Sequence, residues 1–188
     1  EVLEERSLMS IKPLVIDINA VTGTNAFTST ASTPGINITN SLLDPNNDGI
    51  SDYDDLLIGV SQSALFESTV ISGAGVGIRI NLSNLVGLNH IAIDNVSITA
   101  GANQQGISIT LDNVALQSLA IDQTNVTPAA GTGASGLDIN LKNMSSTTGI
   151  DVSVQNSNIR SGSANFNGVN VTLESVSKAT HVGELTLS

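Results

Sequence analysis

Four segments of the chain share one alternation of apolar and polar residues. Gly77–Leu85 reads GIRINLSNL, Gly106–Val114 reads GISITLDNV, Gly136–Met144 reads GLDINLKNM and Gly168–Val176 reads GVNVTLESV. Their leading glycines stand 29, 30 and 32 residues apart. Strict alternation is the period of a strand, whose successive side chains point to opposite faces. Self-similarity at a fixed period near thirty residues is the mark of a repeat architecture. The spacing therefore predicts one strand per repeat, with three apolar side chains facing inward.

Stacked in register, the repeats place Ile78, Ile107, Leu137 and Val169 in one column. Ile80, Ile109, Ile139 and Val171 form a second column, and Leu82, Leu111, Leu141 and Leu173 a third. Glycine opens each strand, where a corner calls for positive φ. Asn84, Asn113 and Asn143 close three of them; Asn tolerates the left-handed region, and its amides can form a ladder from coil to coil. The outer column Ser83, Asp112, Lys142, Glu174 alternates in sign over its charged members.

A second strand is predicted around Ile91, Leu119, Ile150 and Val182, and a third around Val96–Ile98, Thr124–Val126 and Val154–Asn158. Loops at 100–105, 127–135 and 160–167 close the coils. An earlier coil starts at Gly35, 42 residues before Gly77, and Leu14–Ile18 belongs to a first one. The expectation is an all-β chain, a parallel β-helix (β-solenoid) of about five coils of roughly thirty residues. Residues 1–13 form an N-terminal arm or cap, and residues 14–188 the solenoid with an insertion at 44–55.

Composition sharpens this picture. Apolar residues make up 40% of 188, yet only 2% are aromatic, so the interior is aliphatic and suits identical stacked rows. Six Lys and Arg against 17 Asp and Glu leave a net charge of −11. Nucleic acid and a polybasic membrane contact are thereby excluded as partners. No apolar run is long enough to span a membrane as a helix. The start at Glu1 reads as a processed form with its leader removed. With its glycine-led strands and a surface of Ser, Thr, Asn and Gly, the chain resembles the parallel β-helices of secreted bacterial and archaeal surface proteins, adhesins and filament subunits. That resemblance implies an extracellular location and a structural or adhesive role.

The sharpest chemical motif lies in the insertion, Asp44–Asp55, which reads DPNNDGISDYDD. Asp44, Asn46 and Asp48 set oxygens at alternate positions, and Gly49 allows the bend. The Ile50 carbonyl, Asp52 and Asp55 complete the pattern of a Ca²⁺ loop, since calcium takes six to eight oxygen ligands. Position twelve is Asp rather than Glu, and Pro45 argues against a flanking helix. The loop resembles those of dockerins and thrombospondin type 3 repeats, which implies a structural Ca²⁺; the alternative is a solvated acidic loop.

Other candidates are weaker. His90 and His181 have no Cys or third His beside them and read as surface residues rather than zinc ligands. Asp94 and Asp122 fall at equal positions, one coil apart, with Ser153 next in the series. Paired carboxylates serve glycoside hydrolysis, but the chain has few aromatic platforms for a sugar, and no catalytic residue is assigned. The column Asn81, Thr110, Asn140, Thr172 raises ice binding, against which stands the charged neighbouring column Arg79, Ser108, Asp138, Asn170. Six N-x-S/T sequons occur, at Asn37, Asn81, Asn95, Asn125, Asn143 and Asn170. Open solenoid ends carry unpaired strand edges. The favoured expectation is thus a self-assembling filament or surface subunit whose partners are copies of itself. The alternative is a monomeric adhesin, or a module that binds surface glycans or ice.

Overall fold

The structure is a computed structural model that describes residues 13–16, 26–59, 69–129, 134–144, 150–163, 167–174 and 182–187. The proposed arm, apart from residue 13, lies outside them, as does His181.

Two short strands come first, β1 (Leu14–Ile16) and β2 (Ala26–Ser29). An expanded coil follows, made of β3 (Ile36–Thr39), one helical turn α1 (Asn40–Leu43), β4 (Asp55–Ile58) and β5 (Thr69–Gly73). The next coil holds β6 (Ile78–Leu85), β7 (His90–Asp94) and β8 (Val96–Thr99). It is repeated by β9 (Ile107–Val114), β10 (Ser118–Asp122) and β11 (Asn125–Val126), and again by β12 (Leu137–Lys142), β13 (Ile150–Gln155) and β14 (Asn158–Ile159). Two last strands, β15 (Val169–Glu174) and β16 (Val182–Leu187), add rungs at the far end.

Every strand pairing is parallel, and the strands form three sheets. The glycine-led sheet runs β3-β6-β9-β12-β15, the six-stranded sheet β1-β4-β7-β10-β13-β16, and a sheet of short strands β2-β5-β8-β11-β14. The chain is a parallel β-solenoid, as the alternation predicts. The count of about five equal coils is corrected: three coils have the regular length, those opening at Ile78, Ile107 and Leu137. An expanded coil and shorter ones flank them, because the insertion lengthens one coil and the terminal coils supply two strands each among the described residues.

The predicted columns are the core. Ile78, Ile107 and Leu137 align, as do Ile80 with Ile109 and Ile139, and Leu82 with Leu111 and Leu141. All are buried. The six-stranded sheet adds Leu56, Ile91, Leu119 and Val152, with Ile58, Ile93, Ile121 and Val154 beside them. Each such side chain contributes about 1.5–3 kcal/mol on burial.

The reason given for the glycines needs revision, while that for the asparagines holds. The repeat glycines at 35, 77, 106, 136 and 168 do not have positive φ. They are small because the corner is crowded. A methyl group on Gly35 would sit 2.5 Å from Ile71 Cγ2 and 2.9 Å from the Gly77 oxygen, and one on Gly106 would collide with the Val126 side chain. Positive φ falls instead on the closing asparagines, Asn84, Asn113 and Asn143, at 50°, 54° and 47°. Their ladder forms in part: Asn113 Nδ2 donates to Asn84 Oδ1 at 2.9 Å, while Asn143 Nδ2 turns to Asp112 Oδ1 at 2.7 Å.

Candidate functional site in the acidic insertion and on the six-stranded sheet

The insertion begins where β3 stops being a strand. Asn40 Nδ2 donates to the Ser83 carbonyl at 2.6 Å, and the Ser83 N–H donates to Asn40 Oδ1 at 3.0 Å. A side-chain amide thus replaces the missing peptide beside β6, so the backbone can leave the sheet without stranding two polar groups. Leu43 then turns into the core, and Asp44, only 3% exposed, becomes the hub of the loop. Its carboxylate accepts the N–H groups of Asp48 at 3.1 Å and Gly49 at 2.9 Å.

Asn46 Oδ1 accepts the Asp48 N–H, and Asn46 Nδ2 donates to Asp48 Oδ2, both at 3.2 Å. Asp48 Oδ1 accepts the Ile50 N–H at 2.8 Å. Asn47 at φ 58° and Gly49 at φ 84° make the bend. The loop is clipped to the corner after β6: Val86 N–H donates to the Gly49 carbonyl and Ser51 N–H to the Val86 carbonyl.

Of the six residues assigned to a cation, Asp44, Asn46 and Asp48 are therefore brought together, with carboxylate lone pairs in excess of their bonds. This trio fits the oxygen chemistry of calcium. The side chain of Ile50 is 48% exposed, Asp52 is exposed with its N–H bonded to the Leu43 carbonyl, and Asp55 opens β4. Among the described residues no group of three acidic, histidine or cysteine side chains is placed to hold a metal.

Asp55 belongs to a second feature, an outward column of the six-stranded sheet. Asp55 lies opposite His90, His90 opposite Ser118, and Ser118 opposite Asp151. His90 Nδ1 and Ser118 Oγ are 2.7 Å apart. Burial pushes the Asp55 carboxyl above its usual range and the charge of Asp54 adds to this, while the charge and backbone N–H of His90 pull it back. An Asp–His–Ser order invites comparison with a hydrolase triad, in which a buried carboxylate orients the imidazole through a hydrogen bond. Here the one ion pair among the described residues is Lys142 with Glu174, at 3.2 Å, and His90 is exposed. The orienting bond is not formed, and the column reads as a stacked polar row.

Asp94 and Asp122 do stack one rung apart. Asp94 Oδ1 is buried without a hydrogen-bond partner. Burial raises its pKa, the charge of Asp122 raises it further, and the Asn95 N–H offsets part of this. Asp122 Oδ1 is better served, accepting from Gln123 N–H and Asn156 Nδ2, each at 2.9 Å. The next residue in this column is Gln155, not Ser153. Leu119 pairs with Val152 rather than Ile150, a slip of two residues that preserves the inward and outward alternation.

A second polar corner escaped the sequence reading. Asn95, Gln123 and Asn156 all adopt positive φ, at 54°, 46° and 47°. The signal was present as an amide residue directly after β7, β10 and β13. Also unforeseen were Gln117 Nε2 donating to Asn89 Oδ1 at 3.1 Å and Asn170 Nδ2 donating to Asp138 Oδ1 at 2.7 Å. The outer surface is thus a set of amide and carboxylate rows along the stack. No family model, curated protein or solved structure matches this chain.

Proposed function

We propose that the chain is a structural subunit of an extracellular filament or surface assembly, joining copies of itself through the ends of its solenoid. One observation carries this reading. At both ends the sheets finish in strands that have a partner on one side only among the described residues: β1, β2 and β3 at one end, β14, β15 and β16 at the other. Interior positions are open at the second end, where Leu173 is 49% exposed against 1% for Leu141 one rung earlier. An edge of unpaired N–H and C=O groups next to exposed aliphatic side chains is a template for strand addition.

The test is concentration-dependent assembly of the purified chain, followed by light scattering and negative-stain microscopy. Regular fibres are expected. A monodisperse monomer at every concentration would overturn the reading in favour of a monomeric adhesin or glycan-binding module. Ice binding draws less support, because the outward column beside Asn81 and Thr110 carries Arg79 and Asp138.

The same reading includes a structural Ca²⁺ held by Asp44, Asn46 and Asp48, with Asp52, Asp55 and the Ile50 carbonyl as the remaining ligands. The gathered trio supports it. Bound cation would neutralise crowded carboxylates and fix the expanded coil. Ligand that binds only the folded state raises its stability, so Tm should rise in millimolar Ca²⁺ and fall in chelator. An unchanged Tm would remove calcium from the proposal.

A further inference from the structure

The structure sorts the six N-x-S/T sequons into two groups. Such a sequence accepts sugar at the asparagine amide. In a strand the first and third residues share a face, and the second points the other way. Ile38, Leu82 and Val126 are each the middle residue of a sequon, and none is more than 1% exposed. Burying that residue turns Asn37 outward together with Thr39, Asn81 with Ser83, and Asn125 with Thr127.

Asn37, Asn81 and Asn125 are all exposed. Their side-chain amides make no hydrogen bond among the described residues. Beside Asn81 on the neighbouring rungs stand Thr39 and Thr110, and beside Asn125 stand Ser97 and Asn158. These neighbours are short and leave room for a sugar ring. Arg79, beside Asn37, is itself exposed.

The other three sequons differ. Asn143 Nδ2 and Asn170 Nδ2 already donate to Asp112 Oδ1 and Asp138 Oδ1 on the rung before, each at 2.7 Å. Both bonds end on a carboxylate, which makes them stronger than bonds between neutral groups. Asn95 is half-buried in the corner after β7 at φ 54°. Its N–H bonds the Asp122 carbonyl, and its carbonyl accepts the Thr69 N–H. A sugar on Asn143 or Asn170 has to displace a bond between rungs, and one on Asn95 has to open the corner.

We infer that Asn37, Asn81 and Asn125 are sites of N-linked glycosylation. Asn37 and Asn81 lie on the glycine-led sheet and Asn125 on the short-strand sheet, while no sequon lies within a described strand of the six-stranded sheet. Sugar thus covers two sides of the solenoid and leaves bare the side of Asp94 and Asp122. The inference rests on the extracellular location proposed above. Transfer forms a bond between asparagine Nδ2 and the anomeric carbon of an oligosaccharide carried on a lipid diphosphate. The bond from that carbon to the diphosphate oxygen breaks, and the lipid diphosphate leaves with the electron pair. Nδ2 gives up one of its two protons to a base on the transferase. Glycans so placed project sideways from the stack, across the direction in which rungs add, and do not compete with strand addition.

The full chain is sent through the secretory pathway of a host that makes N-linked glycans, and the product is deglycosylated by a peptide N-glycosidase in heavy-oxygen water. Each asparagine that held a glycan becomes a labelled aspartate, read by peptide mass spectrometry. Label is expected at Asn37, Asn81 and Asn125 in most molecules, and at Asn95, Asn143 and Asn170 in few. Thr39→Ala, Ser83→Ala and Thr127→Ala keep the asparagines and should each remove one site. Asp112→Ser and Asp138→Ser free the two bound amides and should bring label to Asn143 and Asn170. No label at the first three sites, or equal label at all six, would overturn the inference. Assembly is scored on chain from a host without this machinery, so failure here leaves the assembly reading standing.

Discussion

At the scale of single residues, corners carry most of the special chemistry. Asn113 sits at φ 54° and bonds Asn84 on the rung before it. A side chain with a Cβ and no amide pays about 1–2 kcal/mol for this conformation. Asn113→Ala should therefore lower the stability by about that amount plus the lost bond, and Asn113→Gly by less, measured by denaturant unfolding. Equal losses would show that the amide ladder rather than the backbone decides the position. Asp94 provides the opposite case, a residue that opposes the fold. Its carboxyl is raised by burial and by Asp122 above the ordinary value of 3.8, so the folded state holds the proton more firmly than the unfolded chain does. That contribution is fully present below pH 3.8 and is lost as pH rises through the raised folded value. Asp94→Asn should accordingly raise Tm at pH 7 and change it little below pH 3.8, in thermal melts across the range. A loss of stability at pH 7 would show that the carboxylate has a partner, such as a cation shared with Asp122.

At the scale of elements, strand identity was readable and strand alignment less so. Alternation told which side of β6, β9 and β12 faces inward, because the period of a strand is local. It did not tell how far each loop shifts the following strand. Gln155 rather than Ser153 meets Asp122 because β13 enters two residues off the position counted from Gly136. The glycines show the same division. Their spacing revealed the coils, but their reason is the neighbouring corner, where Val126 and the Gly136 carbonyl crowd Gly106. Gly106→Ala should cost about 1–3 kcal/mol, the usual range for overpacking a filled site. A cost near that of an exposed alanine substitution would mean the corner can open. Within the acidic insertion, Asp44, Asn46 and Asp48 were legible as a group from their spacing alone. The role of Asn40 as a stand-in for a peptide was not, since it depends on Ser83, 43 residues away.

At the scale of the whole molecule, three sheets share one aliphatic interior. Fibre formation and the response of Tm to calcium and chelator are the expectations that belong here, because each depends on whole coils rather than on any one residue. By itself the sequence determined that the chain is a stack of β-coils, which residues line its interior, and where an oxygen-rich loop interrupts it. These follow from period-two alternation and from repeat spacing, both of which are local or linear properties. Only the tertiary structure decided where β13 enters against β10 and the outward row of Asp55, His90 and Ser118. Those depend on loop lengths, and no property of a single segment contains them.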